Sequence, residues 1–196
     1  MDSEIRHESM PELPFLTANV NCASWYDQVE QGLDIQLMDR TALHVRRMVA
    51  DDVPAVCQLE HQIFSSPWTE EGFLYKLDRR HFNISLVGLV GGAVVAYAVS
   101  FFVLDEFHLS NLAVQQEFRK KKIGETMLWL SLLVGSELGA QYVYLEVRKS
   151  NKSAIALYKK YHFELVGIRK GYYENEKEDA LLLSRNLNLE NTYGLV

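Results

Sequence analysis

The stretch Tyr142-Val143-Tyr144-Leu145-Glu146-Val147 decides how the rest of the chain is interpreted. Its side chains alternate, so Tyr142, Tyr144 and Glu146 share one face and the aliphatic residues share the other, which predicts a β-strand. A carboxylate late in an apolar strand costs free energy unless it is paired or faces a cleft. Glu146 is therefore a candidate proton acceptor at a cleft. The alternative is an exposed residue that pairs with Arg148.

A short helix is predicted directly after this strand. Asn151 or Ser153 suits its N-cap, and Leu157, Tyr158 and Tyr161 fall on one side of it. Asn151 and Tyr158 are separated by two helical turns, so both lie on the same side. Asn151 either caps the helix or holds a ligand that carries an amide. Tyr158 either packs in the core or directs its hydroxyl at a reacting atom.

Further upstream, the basic turn Arg119-Lys120-Lys121-Lys122-Ile123-Gly124 connects a predicted strand, Phe107 to Val114, to a predicted helix. Free backbone N–H groups and the positive end of the helix dipole meet at such a turn, which favours an anion such as a pyrophosphate. Cations oppose the dipole at this end of a helix, so a negative partner is expected. The alternative is a solvated run of charges. The Walker A pattern is absent.

The remaining periodicities predict a mixed α/β fold with the order β-α-α-β-β-β-α-β-α-β-β from residue 43 onward. Residues 82–104 contain no charge and have the length of a membrane crossing. However, Gly91-Gly92 lies near their middle, between runs of β-branched and aromatic residues. Because paired glycines supply the positive φ angles of a tight turn, we predict a buried β-hairpin here, with a membrane helix as the alternative.

Charge is unevenly distributed along the 196 residues, whose formal net charge is −6. Residues 1–40 hold eight acids and two bases, and residues 41–196 balance to zero. A neutral body does not suggest a nucleic-acid-binding protein. Within the acidic segment, Trp25, Tyr26, Val29, Leu33 and Leu37 are predicted to form one face of a short helix.

Several classes of protein and site find no support in the chain. The N-terminus lacks the basic and apolar regions of a secretory signal, and the two cysteines form no C-x-x-C, so a cytoplasmic location is expected. The histidines show no metal-binding spacing, and no metal is expected. His108, in the strand beside the proposed site, is an alternative base.

Taken together, these motifs resemble the GNAT superfamily of N-acetyltransferases, and more closely its RimI-type ribosomal-protein alanine N-acetyltransferases. The resemblance covers about residues 43–187. It rests on several spaced matches in the same order: Ser66-Pro67-Trp68, Val103-Leu104-Asp105-Glu106, Asn111-Leu112-Ala113-Val114, the run from Leu145 to Tyr158, Gly167-Ile168-Arg169, Tyr172-Tyr173 and Glu178-Asp179-Ala180.

The resemblance implies a mostly antiparallel sheet flanked by helices, in which parallel strands 4 and 5 splay apart to form an acetyl-CoA cleft. Glu146 would be the base and Tyr158 the acid. The residues that would bind the co-substrate are Leu112, Ala113, Val114, Arg119, Lys120, Lys121, Lys122, Ile123, Gly124, Glu125 and Asn151. Lys122 departs from the family, which has glycine there, and this departure bears on co-substrate affinity. If the position requires a positive φ, lysine is strained.

By the same resemblance, the protein would acetylate a protein N-terminus, specifically the N-terminal alanine of a small-subunit ribosomal protein. Trp68, Tyr172 and Tyr173 would wall the groove for that peptide. The alternatives are other protein N-termini, lysines or small amines as acceptors, or an acyl-CoA sensor without turnover. The implied organisation is an acidic N-terminal extension over 1–42, the acetyltransferase domain over 43–187 and a C-terminal tail over 188–196. No membrane partner is expected, and the sequence does not indicate an oligomeric state.

Overall fold

A computed structural model of the protein describes residues 16–18, 24–78, 83–175 and 177–187. The predicted order of strands and helices from residue 43 onward is confirmed, and two strands precede it. The elements are β1 (Leu16–Ala18), α1 (Trp25–Gln31), β2 (Leu33–Leu37), β3 (Ala42–Arg47), α2 (Val53–Ile63), α3 (Glu70–Asp78), β4 (Asn83–Val90), β5 (Ala93–Val103), β6 (Glu106–Val114), α4 (Ile123–Glu137), β7 (Tyr142–Arg148), α5 (Lys152–Lys160), β8 (Glu164–Tyr173) and β9 (Glu178–Asn186).

The strands form one sheet of nine, in the order β1-β2-β3-β4-β5-β6-β7-β9-β8. Every neighbouring pair is antiparallel except β6 and β7, which run parallel. Parallel neighbours need a long crossover connection, and α4 provides it. The predicted fold class is confirmed, and its splayed strands 4 and 5 are β6 and β7 here.

The uncharged segment 82–104 contains the predicted hairpin. Strands β4 and β5 pair in antiparallel register, and the turn between them contains Gly91 at φ 58° and Gly92 at φ 82°. Both angles lie in the region that glycine adopts without strain. None of the helices in the described part of the chain combines the length and the apolar character that a membrane crossing requires.

The acidic segment contributes to the sheet and to the core. The predicted helix is present as α1, but it ends at Gln31, before Gly32 at φ 92°. Leu33 and Leu37 belong to β2, so placing them on the helix was wrong. Their spacing of four fits a helical face, but Leu33, Ile35 and Leu37 also alternate in the manner of a strand, and all three are buried.

Helices cover both faces of the sheet. On one face α4 packs so closely that a Cβ atom on Gly135 would lie 2.9 Å from the Phe107 ring, and α1 packs beside α4. On the other face α2 and α3 bury Val56 and Phe73 against Tyr97 of β5. These two layers leave open the end of the sheet at which β6 and β7 terminate, and a site can form there.

Candidate active site

The parallel strands β6 and β7 separate halfway along their length. They pair from Glu106↔Tyr142 to Leu109↔Leu145, and no pairing continues beyond. At the same point the register between β5 and β6 shifts, because Ser100 faces Leu109 whereas Val99 faces Asn111. The extra residue is a β-bulge, which bends β6. The second half of β6 therefore presents an edge to the gap between the two strands.

The hydrogen bonds of β6 show which backbone groups face this gap. The N–H of Gln115 donates to the carbonyl of Val95 at 2.8 Å, so Gln115 belongs to the set that bonds to β5. Bonding groups alternate along an antiparallel strand. The Ala113 N–H is therefore directed at β5, whereas the N–H groups of Leu112 and Val114 are directed at the gap. The Ala113 side chain is buried against α2.

A cavity of about 670 Å³ opens at the separation of the strands. It brings together all five residues that the sequence predicts for catalysis and acceptor binding, and two of those predicted for the co-substrate. Its lining includes Leu112, Glu146, Asn151, Tyr158, Trp68, Tyr172 and Tyr173. The predicted residues that do not line it are Ala113, Val114 and the basic turn from Arg119 to Glu125.

Glu146 lies on the wall of this cavity. The burial pattern of β7 confirms the predicted alternation, with Val143, Leu145 and Val147 buried on the opposite face. The Glu146 carboxylate forms an ion pair with Arg169 of β8, with 2.6 Å between Arg169 Nη1 and Glu146 Oε1. Burial and a hydrogen bond to Glu146 both raise the pKa of Tyr172 above its ordinary value.

Helix α5 carries Asn151 and Tyr158 to the same cavity, as their spacing predicts. The Asn151 side chain caps the helix, because its Oδ1 accepts from the N–H of Ala154 at 3.2 Å. Tyr158 is buried, and its ring contacts Phe163 with 5.7 Å between centroids. Burial raises the pKa of Tyr158 well above its ordinary value, so its hydroxyl is protonated at neutral pH.

The basic turn begins α4 in a strained conformation. Lys120 and Lys122 both have positive φ, 62° and 70°. Lys122 lies where the resemblance places a glycine, and a residue with a Cβ is strained at a positive φ, so lysine costs free energy at this position. Gly124 packs against β6, where an added Cβ would lie 3.3 Å from Val114 Cγ2. The turn thus lies next to the half of β6 that faces the gap.

Carboxylates and a carbonyl oxygen already bind three of the cations in this turn. Lys121 contacts Asp39 at 2.8 Å, Lys122 contacts Glu125 at 2.9 Å, and the Arg119 Nε donates to the carbonyl of Val114 at 3.0 Å. Burial raises the pKa of Glu125, but hydrogen bonds from Lys160 and Lys122 outweigh it and bring the pKa below the usual value. The negative partner that the cations require is thus present in part within the chain.

His108, the alternative base, is part of an aromatic row in the cavity wall. Its ring stacks on Phe101 with 4.5 Å between centroids and on Tyr144 with 5.4 Å. Its Nε2 lies 2.8 Å from a carboxylate oxygen of Glu106. The described residues contain no group of three His, Cys, Asp or Glu side chains arranged to hold a metal ion.

The cavity wall also contains residues that were not predicted, including Arg169 and, in α2, Glu60. Glu60 of α2 is 1% exposed, although it is a carboxylate. The signal was available, because Glu60 lies four residues after Val56 and three before Ile63, on the apolar stripe of its helix. A carboxylate in that position is buried with α2, and it requires hydrogen-bond donors from other elements.

A family model described as "Acetyltransferase (GNAT) family" matches residues 53–163, more than half of the chain. The chain belongs to the GNAT acetyltransferase family. It is therefore an N-acetyltransferase that uses acetyl-CoA as co-substrate. The matched residues include the two diverging strands and the helices that carry the basic turn and Tyr158.

Individual relatives agree with this family membership. The ribosomal protein bS18-alanine N-acetyltransferase of Escherichia coli (strain K12) is 31% identical over 140 residues, which cover 70% of this chain and 93% of the relative. An N-alpha-acetyltransferase of Saccharolobus solfataricus is 44% identical over 81 residues, 41% of this chain and 48% of that relative. The crystal structure of the E. coli ribosomal-protein-S18-alanine N-acetyltransferase matches 75% of this chain and 95% of its own at a TM-score of 0.69, with 28% identity.

Proposed function

We propose that the protein transfers the acetyl group of acetyl-CoA to the α-amino group of a protein N-terminus, and that its acceptor is the N-terminal alanine of a small-subunit ribosomal protein. The observation that carries the proposal is the convergence of Glu146, Asn151 and Tyr158 on one cavity where β6 and β7 separate. The choice of acceptor is supported by the E. coli relative, whose name gives bS18 alanine as its substrate.

In this proposal, acetyl-CoA lies along the free edge of β6. The N–H groups of Leu112 and Val114 bind its pantetheine arm, and Ala113 keeps these two residues directed at the gap. The backbone N–H groups from Arg119 to Glu125 surround the pyrophosphate at the start of α4, where the helix dipole favours an anion. Lys120 adds positive charge, and Asn151 holds the co-substrate from the other strand's side.

The chain's own residues then move two protons. An α-amino group has a pKa of about 8, so an appreciable fraction is neutral at pH 7 and able to attack the thioester. Glu146, held in place by Arg169, accepts the proton that the amine loses. A backbone N–H on the free edge of β6 stabilises the oxyanion that forms, and Tyr158 donates a proton to the departing thiolate. Trp68, Tyr172 and Tyr173 enclose the peptide that supplies the amine.

The first test replaces the proposed base. The substitution Glu146→Gln keeps the size of the side chain but removes its capacity to accept a proton, so kcat should fall by roughly 10²–10⁴-fold. Turnover is measured by the mass gain of a peptide that begins with alanine, and acetyl-CoA binding is measured by calorimetry. Glu164→Gln is the matched control, because Glu164 is an exposed carboxylate on β8. Unchanged turnover in the Glu146→Gln variant would exclude Glu146 as the base.

The acceptor is tested with a panel of peptides and the unmodified enzyme. The panel varies the first residue and includes one peptide with a blocked N-terminus and an internal lysine. Acetylation confined to a free N-terminal alanine is the expected result. Acetylation of the blocked peptide would identify the enzyme as a lysine acetyltransferase instead. Binding of acetyl-CoA without acetylation of any peptide would favour the sensor function that Lys122 suggested.

A further inference from the structure

Glu60 has no part in the proton transfers proposed above, yet it is a buried carboxylate in the wall of the same cavity. Burial of a carboxylate is costly, and it raises the pKa of Glu60 above its ordinary value. None of the cations in the described part of the chain forms an ion pair with it. Neutral hydrogen-bond donors offset most of this cost, with a smaller electrostatic contribution from His61. The positions of the donors indicate what the residue does.

Three elements supply these donors. The N–H of Trp68, in the connection between α2 and α3, donates to Oε1 at 3.1 Å. The side-chain amide of Asn111, on the half of β6 that faces the gap, lies 3.2 Å from both carboxylate oxygens. The hydroxyl of Tyr97 of β5 donates to Oε2. One carboxylate thus joins the wall proposed for the acceptor to the strand proposed for the co-substrate.

The elements that Glu60 joins are not equally dependent on it. Strands β5 and β6 are held by their own ladder, in which Tyr97 pairs with Ala113 and Val99 with Asn111. The connection between α2 and α3, residues 64–69, has no helix or strand to hold it. Other hydrogen bonds from distant residues reach Ser65 and Ser66. Asn175 Nδ2, in the turn before β9, donates to Ser66 Oγ at 2.8 Å and to the Ser65 carbonyl at 3.3 Å, and Arg148 Nη2 donates to Ser65 Oγ at 3.0 Å. Loss of Glu60 should therefore loosen the backbone at Trp68, whose ring keeps its contact with Phe73, and leave β6 in place.

We propose that Glu60 is a positioning residue for the acceptor: its carboxylate holds Trp68 and the α2–α3 connection against Asn111, and so fixes the wall that receives the peptide. The proposal rests on the function proposed above. It distinguishes two effects on kinetics. Acceptor binding depends on Glu60, whereas binding of acetyl-CoA to β6 and α4 does not.

The kinetic test compares variants with both substrates. In Glu60→Ala the KM for the alanine peptide should rise about tenfold or more, the scale of a lost hydrogen bond to a charged group, while the KM for acetyl-CoA changes less than about twofold. In Glu60→Gln the KM for the peptide should stay close to that of the unmodified enzyme, because the amide oxygen of the glutamine still accepts from the Trp68 N–H. Glu60→Asp keeps the charge but is too short to reach the same donors, so it should behave as Glu60→Ala and replaces that variant if it does not fold.

A matched control separates positioning from general destabilisation. Leu59→Ala removes a buried neighbour on the same helix and leaves the carboxylate and its donors unchanged. It should lower the melting temperature without the selective rise in peptide KM. Equal rises in the two KM values of Glu60→Ala, or a rise in peptide KM in Leu59→Ala as large as in Glu60→Ala, would overturn the proposal.

Amide hydrogen exchange gives a readout that does not require turnover. Because the Trp68 N–H donates to Glu60, its exchange should accelerate in Glu60→Ala and Glu60→Asp, while amides of β6 stay protected. Unchanged protection of Trp68 would exclude the positioning role. If the unmodified enzyme acetylates no peptide but exchange at Trp68 responds as expected, the proposed acceptor is wrong and the structural link through Glu60 stands.

Discussion

At the scale of single residues, Tyr158 illustrates how burial acts on a proposed acid in two ways. Its raised pKa keeps the proton in place until a thiolate is formed. A phenol is already a weaker acid than the thiol that leaves, since their ordinary pKa values are about 10 and about 8.5, and the raised pKa of Tyr158 widens this difference. Proton donation by Tyr158 should therefore contribute near the lower end of the range for general acids.

The substitution Tyr158→Phe tests this argument. It removes the hydroxyl and keeps the ring that packs on Phe163. We expect kcat to fall by about 10²-fold, with the dissociation constant of acetyl-CoA and the melting temperature nearly unchanged. Stopped-flow turnover and calorimetric binding measure the two effects. A large loss of acetyl-CoA affinity with little loss of kcat would instead assign Tyr158 to packing around the co-substrate.

How well individual residues of the site could be predicted depended on where each lies in its element. Glu146 interrupts an alternating strand, and Asn151 and Tyr158 are two helical turns apart, so local periodicity was sufficient to bring them to one cavity. Glu60 and Arg169 were not predicted. Their roles come from contacts with Trp68 and Glu146, which are distant in sequence, and local periodicity carries no information about such pairs.

At the scale of elements, the junction between the basic turn and α4 combines strain with compensation. Lys122 occupies the left-handed region and pairs with Glu125, but Lys160 and Tyr161 also bind that carboxylate. The buried acid therefore keeps partners when Lys122 is replaced. Two replacements that both remove the cation, glycine and alanine, isolate the cost of the backbone conformation.

We expect Lys122→Gly to be more stable than Lys122→Ala. A residue with a Cβ pays roughly 1–2 kcal/mol in the left-handed region. Glycine avoids this cost, but roughly 0.4–1 kcal/mol of the gain is lost because the unfolded chain of the glycine variant is more flexible. The free energy of unfolding, measured in urea, should thus be about 0.5–1 kcal/mol higher for the glycine variant. Equal stability, or greater stability of the alanine variant, would mean that the turn relaxes once the lysine is gone.

The sequence did not predict those elements whose apolar residues have a spacing that fits both a helix and a strand. Leu33 and Leu37 are four residues apart, a spacing that both a helical face and every second position of a strand satisfy. Pairing of β2 with β1 and β3 resolves the ambiguity, and pairing is a property of the sheet. From Ala42 onward the runs are longer and are separated by turn residues such as Gly91-Gly92, so their periods were unambiguous.

At the scale of the whole molecule, three acids in the described part of the acidic segment form internal contacts. Glu30 pairs with Arg47 at 2.9 Å, Asp34 with His44 at 2.7 Å, and Asp39 with Lys121 at 2.8 Å. The hydrogen bond from Lys121 is the main cause of the pKa of Asp39 being lowered to about 2. Glu30 and Asp39 thus face cations of the body, and Asp34 faces an imidazole. Glu30 and Asp39 therefore already have cationic partners within the chain, and the division of the chain at residue 42 stays a prediction.

Deletion of residues 1–40 should therefore unfold the protein, because those residues carry part of its core. Four nearly inaccessible aliphatic side chains, Val29, Leu33, Ile35 and Leu37, would be lost. At about 1.5–3 kcal/mol each they contribute roughly 6–12 kcal/mol, comparable to the roughly 5–15 kcal/mol that stabilises a typical domain. Circular dichroism should show loss of cooperative melting, and turnover should disappear with it. Deletion of residues 1–15 is the control, since it keeps every strand and helix from β1 onward. An enzyme lacking residues 1–40 that melted at the temperature of the full chain would show that residues 41–196 form a complete core alone.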